Sequence, residues 1–150
     1  MEMTRSTWVH LVVVVVALSG CTSISVQPVS DSHKISEICI EENPKVVVEE
    51  FLNVVRDGFD RHGIATRVIR GPIPADCSYV LHYTALKKWD MAVYMHHAEL
   101  WLEHDGRKIG SATYHLRGSG GASLMKWQST KTKMDPVIDE LLGGIQRKST

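Results

Sequence analysis

Cys21 has the most specific chemistry in this chain because of the residues before it. Two small residues, Ser19 and Gly20, directly precede it at the end of an apolar run. A peptidase threads an extended chain through a narrow site, so small side chains favour cleavage before Cys21. The cysteine sulfur is a nucleophile that can take a diacylglyceryl group as a thioether. The pattern predicts lipidation of Cys21 and removal of residues 1–20.

The segment before Cys21 has the layout of an export signal. Arg5 gives it a weak positive start, and residues 8–18 form an almost wholly apolar run of 11 residues. That length fits the roughly 7–15 residues of a signal peptide and falls short of the roughly 20 of a spanning helix. Leu18-Ser19-Gly20-Cys21 closely resembles the bacterial lipobox, which implies a membrane anchor of acyl chains. The alternative is an ordinary signal peptide followed by a chance cysteine.

Three segments are expected: a cleaved signal over 1–20, a flexible tether over 21–33 and one globular domain over 34–150. The tether is predicted because residues 22–33 are polar, rich in Ser and without a period. Thr22 stands where the familiar inner-membrane retention signal has Asp. The resemblance therefore implies an outer-membrane lipoprotein that faces the periplasm or the cell surface.

Charge and motifs exclude several functions. The chain has 17 basic and 17 acidic residues, and cleavage removes one of each, so the mature chain stays neutral. Neutrality argues against bulk nucleic-acid binding. The sequence contains no Gly-x-Ser-x-Gly, phosphate-loop or His-Glu-x-x-His pattern. Glu99 and Glu103 with nearby histidines could form an acid/base pair, but such strand acids are more often solvated. We predict a non-catalytic protein without a cofactor.

Cys39 and Cys77 remain besides the anchor. An exported protein enters an oxidising compartment, where disulfides persist. One pair of cysteines allows one intramolecular link, so we predict a Cys39–Cys77 disulfide. The alternative is two buried free thiols. A metal site from two cysteines this far apart is not expected.

Apolar periodicity predicts an α+β fold. Helices are expected over residues 44–62 and from Asp135 onwards, each starting with a capping residue followed by proline. Val47, Phe51, Val55 and Phe59 should face the core from the first helix, and Ile138, Leu141, Leu142 and Ile145 from the second. Strands are expected over 35–40, 64–69, 78–86, 91–103 and 107–117, with a turn over 87–90 and a long loop over 118–133. The order β-α-β-β-β-β-α predicts two helices on one face of a mostly antiparallel sheet of four to five strands.

The last two strands are predicted to form a hairpin around His104-Asp105-Gly106, in one of two registers. A two-residue turn would place Ala98 and Leu100 opposite Thr113 and Ser111. A three-residue loop, with Gly106 in a bulge, would pair Glu103 with Arg107. We prefer the three-residue loop because it keeps the apolar residues on one face. These residues are Tyr94, Ala98, Leu100, Ala112, Tyr114 and Leu116.

A basic, aromatic rim is expected where the third strand and the last hairpin strand end. Its candidate binding residues are Lys87, Lys88, Trp89, Arg117, Lys126 and Trp127, joined by Lys131 and Lys133. Lysine offers a point charge and tryptophan a stacking face, which suits an anionic lipid, an anionic glycan or an acidic envelope protein. The alternative is that the tryptophans plug the core edge and the lysines are merely solvated.

Histidines are frequent on the predicted sheet. In the preferred register His97 and His115 share the exposed face, and His82 could join them. Three imidazoles there could bind a transition metal, although strand histidines are usually surface residues. We therefore expect metal binding to be the least favoured function.

Nearly the whole mature chain resembles a small family of proteobacterial outer-membrane-type lipoproteins. Besides the lipobox, the resemblance rests on short motifs: Cys39-Ile40, Asn43-Pro44-Lys45-Val46, Cys77-Ser78-Tyr79, Tyr83-Thr84-Ala85, Trp89-Asp90, Ile109-Gly110, Gly120-Gly121, Lys126-Trp127, Ser129-Thr130 and Met134-Asp135-Pro136. It implies an exported α+β lipoprotein and brings no activity. We expect a binding module for an envelope component, or a stabilising subunit of an envelope assembly.

Overall fold

Six strands and two α-helices make up residues 22–117 and 124–145, the part of the chain that the computed structural model describes. The predicted lipidation site at Cys21 lies outside these residues. In chain order the elements are β1 (Thr22–Gln27), β2 (Glu37–Glu41), α1 (Phe51–Arg61), β3 (Ala65–Ile69), β4 (Tyr79–Asp90), β5 (Ala92–His104), β6 (Arg107–Leu116), a short 3-10 helix (Leu124–Trp127) and α2 (Thr130–Leu141).

The strands form one mixed sheet in the order β1-β6-β5-β4-β2-β3. β1, β6, β5 and β4 pair in antiparallel fashion, whereas β2 runs parallel to both β3 and β4. The α+β class is confirmed. The prediction of four to five mostly antiparallel strands is wrong, because the described sheet has six strands and contains both parallel and antiparallel pairs. The β2–β3 pair is parallel because α1 is the crossover between these strands, and a crossover returns the chain in the same direction.

The tether prediction is wrong for Thr22–Gln27, which is strand β1. It pairs with β6 from Thr22↔Leu116 to Gln27↔Ser111. Ile24 and Val26 alternate with serines, which is a strand pattern too short to be noticed in a polar segment. The backbone of β6 offers a free edge, and β1 satisfies its donors and acceptors.

The first helix is shorter than predicted. Asn43 does cap a turn, because its Oδ1 accepts a hydrogen bond from the Lys45 N–H at 3.1 Å. That turn closes at Val46, whose N–H donates to the Asn43 carbonyl. Glu50, with a left-handed φ of 58°, precedes α1, which begins only at Phe51. Val47 therefore lies outside the helix and is exposed, contrary to the prediction. Phe51, Val55 and Phe59 are buried as predicted.

The second helix begins earlier than predicted. Ser129 is its N-cap, and the Ser129 hydroxyl accepts from the Thr132 N–H at 3.1 Å. The predicted start at Asp135-Pro136 is wrong, since Pro136 lies inside α2. The predicted loop over 118–133 contains the 3-10 helix and the first turn of α2. Ile138, Leu141 and Leu142 are fully buried, as expected from their spacing.

Both helices contribute to a single core on one face of the sheet. They approach closely at Gly58, where a Cβ would lie 2.7 Å from Ile138 Cδ1. A glycine is needed there for the two helices to pack side by side. Within residues 22–117 and 124–145, no helix covers the opposite face of the sheet, which carries the polar residues of β4, β5 and β6.

The β5–β6 hairpin combines features of both predicted registers. Its turn is the two-residue type that we did not prefer: His104 pairs with Arg107, and Asp105 and Gly106 have φ of 49° and 74°. A bulge in the strand pairing after Leu102 then shifts the register by one residue. The resulting pairs are Leu100↔Ala112 and Ala98↔Tyr114. These residues share one face, as the preferred register predicted, but their partners differ from those of that register. The predicted apolar set is buried on one face.

Candidate functional site

The predicted rim residues come to one end of the sheet, but they do not form one surface. Lys87, Lys126 and Trp127 line a groove of about 430 Å³ together with Tyr94. Lys88 and Trp89 lie beyond that groove on the β4–β5 hairpin. Arg117 follows β6 and donates a hydrogen bond to Ser23 Oγ at 3.3 Å.

Two of the predicted rim lysines are buried and do not present free charge. Lys126 Nζ contacts Asp90 Oδ2 at 2.7 Å, and this hydrogen bond raises the Lys126 pKa. Lys133 Nζ donates to the carbonyls of Met95 and Lys126 at 3.0 and 2.7 Å. Burial lowers the Lys133 pKa to about 8. Lys126 fastens the 3-10 helix to the end of β4, and Lys133 fastens α2 to β5 and to the 3-10 helix. The charge pattern alone could not reveal these contacts.

Other acids reduce the expected basic character further. Lys131 Nζ lies 2.8 Å from Asp135 Oδ2. Lys87 and Lys88 remain exposed. The predicted basic rim is therefore wrong as a continuous surface and is reduced to a lysine pair beside the hairpin.

The most unusual surface is the end of the β4–β5 hairpin, residues 86–93, which we call the hairpin tip. The predicted turn over 87–90 is instead strand, and the chain reverses at Met91, whose φ is 59°. Trp89 and Met91 are 76% and 83% exposed, and Leu86 and Val93 are also exposed. Trp89 pairs with Val93, so the two side chains lie together on one face of the ribbon. A cluster of large exposed apolar side chains marks an interaction surface far more often than a single one does.

The hairpin tip projects from the end of the sheet at which β1 begins. Thr22 of β1 pairs with Leu116 of β6. The neighbouring residue of β6, His115, pairs with His97 of β5, which in turn pairs with Leu86 of β4. β4 continues beyond Leu86 to Asp90, a length of about 13 Å at roughly 3.3 Å per residue. Residue 21 directly precedes Thr22. The chain therefore enters the sheet at the end where the apolar side chains of the tip protrude.

The uncovered sheet face carries a second cluster. The rings of His82 and Trp101 are stacked with centroids 5.4 Å apart. His82 Nδ1 lies 2.6 Å from Glu41 Oε2, and its Nε2 lies 3.5 Å from Glu103 Oε2. Its imidazole is thus held by an aromatic ring and two carboxylates, so the prediction that His82 could join the other histidines is wrong.

His97 and His115 do share the uncovered face, as predicted. They pair directly across β5 and β6, with their Nδ1 atoms 3.3 Å apart. His96 is their third neighbour, with its ring centroid 6.4 Å from each of the other two rings. It is the extra residue of β5 in a bulge opposite Leu86 and Lys87, so two adjacent residues of one strand, His96 and His97, both lie near His115.

The disulfide prediction is confirmed. Cys39 in β2 is bonded to Cys77, with their Cα atoms 5.8 Å apart. Cys77 lies just before β4, so the disulfide fastens the segment between β3 and β4 to the middle of β2. Arg67 of β3 lies beside it, with its guanidinium 3.0 Å from Asp76.

These features define the class of fold: a six-stranded mixed sheet with two helices on one face and an extended β4–β5 hairpin. Neither a family model nor a curated protein sequence matches the chain. Its fold is similar to that of PelC from Paraburkholderia phytofirmans, solved as a dodecamer in two crystal forms, at TM-scores of 0.55 and 0.54. Each match has 12% sequence identity and covers 85% of this chain and 99% of PelC. At that identity the likeness shows the fold alone.

A minor lipoprotein from Acinetobacter baumannii is less similar, with a TM-score of 0.32 and 16% identity over 75% of this chain and 89% of that chain. In the part of the chain that the structure describes, neither α-helix is long and apolar enough to cross a membrane.

Proposed function

We propose that this chain is a non-catalytic, lipid-anchored envelope protein whose hairpin tip binds the membrane that holds the anchor. The observation that carries the proposal is the exposed apolar tip at the end of the sheet where β1 begins. An acylated Cys21 would hold that end of the domain against the bilayer. The same end would then bring Trp89 and Met91 to the lipid surface.

The composition of the tip supports a lipid surface as its ligand. Tryptophan is enriched at the boundary between lipid and water because its ring is apolar and its N–H is polar. Lys87 and Lys88 lie just before Trp89, where their ammonium groups could reach anionic headgroups. A convex hairpin end with apolar side chains at its apex suits shallow insertion better than it suits enclosing a small ligand. The lipobox and Thr22 favour the outer membrane, with the domain facing the periplasm.

Quenching of tryptophan fluorescence by brominated lipids tests the proposal. The acylated protein is reconstituted into vesicles with brominated acyl chains, and mass spectrometry of its N-terminal peptide checks the modification of Cys21. We expect strong quenching that is largely lost in Trp89→Phe, because bromine quenches only rings that reach the acyl chains. The matched control is Trp101→Phe on the uncovered sheet face, which should keep the quenching. Equal quenching in the wild type and Trp89→Phe would contradict insertion of the tip.

A second candidate function is that of a subunit in a homo-oligomeric envelope assembly, and it is compatible with the first. The observation that favours it is the fold shared with PelC, which is a dodecamer. Within this chain, β1 is an edge strand, and it carries Ile24 with 41% of its surface exposed. An edge strand with an exposed apolar side chain is a ready surface for a second copy.

A further inference from the structure

The Nδ1 atoms of His97 and His115 already have the separation that one metal ion requires. They are 3.3 Å apart on directly paired residues of β5 and β6. Two nitrogens that each lie about 2.0–2.1 Å from Zn²⁺ at a tetrahedral angle are about 3.3–3.4 Å from each other. The two strands hold the pair, so little backbone movement is needed to admit an ion.

Glu99 orients one of these rings. Its Oε1 lies 2.9 Å from His97 Nε2, and the ionised carboxylate can only accept a hydrogen bond. His97 Nε2 therefore carries the proton, and the lone pair of its Nδ1 points towards His115. A carboxylate behind a histidine in this way is the usual arrangement at protein metal sites, since it fixes the ring and its tautomer.

The metal-free hydrogen bond shows what must change on binding. His97 Nδ1 has a free lone pair, so His115 Nδ1 donates the proton that the two nitrogens share. Binding requires His115 to carry its proton on Nε2 instead, and its exposed ring allows exchange through water. The ion then takes the place of that proton between the two nitrogens.

The remaining ligands are not preassembled. Among residues 22–117 and 124–145, no group of three or more His, Cys, Asp or Glu side chains is arranged to hold a metal. His96 is the nearest further nitrogen ligand, and its buried Nδ1 has no hydrogen-bond partner. Water can fill open positions on an exposed ion, which makes the affinity modest.

We propose that His97 and His115 form a surface site for a transition-metal ion of the Zn²⁺ type, with Glu99 orienting His97 and water completing the coordination. The site lies on the uncovered sheet face, away from the apolar apex of the hairpin tip. It does not depend on the anchor or on membrane binding.

Zinc titration of the untagged, full-length protein in detergent, in competition with a chromophoric chelator, tests this proposal. We expect one equivalent to bind with a dissociation constant in the micromolar range. Both His97→Ala and His115→Ala should weaken binding at least tenfold, and Glu99→Gln by about 10–100-fold. His104→Ala removes an imidazole elsewhere on β5 and should leave the affinity unchanged.

Nuclear magnetic resonance of the wild-type imidazole nitrogens supplies a readout that does not depend on the folding of any variant. Zinc should shift the Nδ1 resonances of His97 and His115 and leave those of His33 and His104 in place. The proposal is overturned if no zinc binds at about 100 μM free ion. It is equally overturned if His104→Ala weakens binding as much as His115→Ala, or if zinc shifts other histidines and not this pair.

Discussion

At the scale of single residues, Lys133 is a charged side chain in a buried environment. The residue is 3% exposed. Its ammonium lies against the carbonyl oxygens of Met95 and Lys126 and near the ring of Tyr94. The two carbonyls satisfy donors that would otherwise be costly to bury. They also join α2 to both β5 and the 3-10 helix, so Lys133 positions the wall of the groove beside the hairpin tip.

Lys133 should make stability depend on pH in a defined direction. Its pKa is about 8 in the folded protein because burial disfavours the charge, against 10.5 when unfolded. Between those values the unfolded chain binds more protons, so the free energy of unfolding should rise with pH, by no more than about 3 kcal/mol. Urea midpoints measured from pH 7.5 to 9.5 check this. Lys133→Met should abolish the rise, because its side chain does not titrate.

Lys131→Met is the matched control for that measurement. Lys131 is the neighbouring exposed lysine in the same helix, and its loss should leave the rise with pH intact. Parallel pH profiles for the wild type and Lys133→Met would show that burial of Lys133 does not set the dependence.

At the scale of elements, the disulfide is the constraint with the largest expected effect on stability. It connects β2 to the segment before β4 and closes a loop with a sequence separation of 38 residues. In the chain-entropy model a loop of that length stabilises by about 4 kcal/mol. Reduction should therefore lower the urea midpoint substantially. The double variant Cys39→Ala/Cys77→Ala should unfold near the reduced midpoint and ignore the reductant, whereas an unchanged wild-type midpoint after reduction would contradict the estimate.

Elements with a long apolar period could be predicted from the sequence, and those set by a single tertiary contact could not. The stripe of Phe51, Val55 and Phe59 and the strand alternation of β5 and β6 are local patterns that survive in the fold. The start of α1 depends on the left-handed Glu50, and β1 exists because β6 offers an edge. The first leaves no mark in nearby residues, and the second leaves only the short alternation of Ile24 and Val26 with serines.

The same distinction applies to the candidate sites. Sequence spacing correctly placed His97 and His115 on the same face because strand alternation is regular between the bulges. The bulge at His96 adds a residue to one strand only, and this brings a third imidazole to the cluster without any change in composition. The rim prediction treated every lysine as exposed. Asp90 and two carbonyl oxygens, which become neighbours only on folding, bury Lys126 and Lys133.

At the scale of the whole molecule, the anchor, the hairpin tip and an oligomer can act together. An acyl anchor and an apolar tip at one end of the domain would fix its orientation on the bilayer. Copies held in one orientation would meet with their sheet edges in the same plane. Restriction to a surface also raises the effective concentration at which a weak edge contact becomes populated.

The oligomeric state is therefore the measurement that separates an isolated binding module from an assembly subunit. We expect native mass spectrometry of the detergent-solubilised protein to show a homo-oligomer. Ile24→Glu should shift it to monomer, since a charge on the exposed side chain of edge strand β1 would be desolvated in a contact with a second copy. Ile73→Glu places the same charge at another exposed isoleucine, 46% accessible in the loop after β3, and should leave the mass unchanged. A wild-type monomer at all protein concentrations would exclude the subunit function and leave the membrane-binding proposal intact, because quenching by brominated lipids requires only one copy.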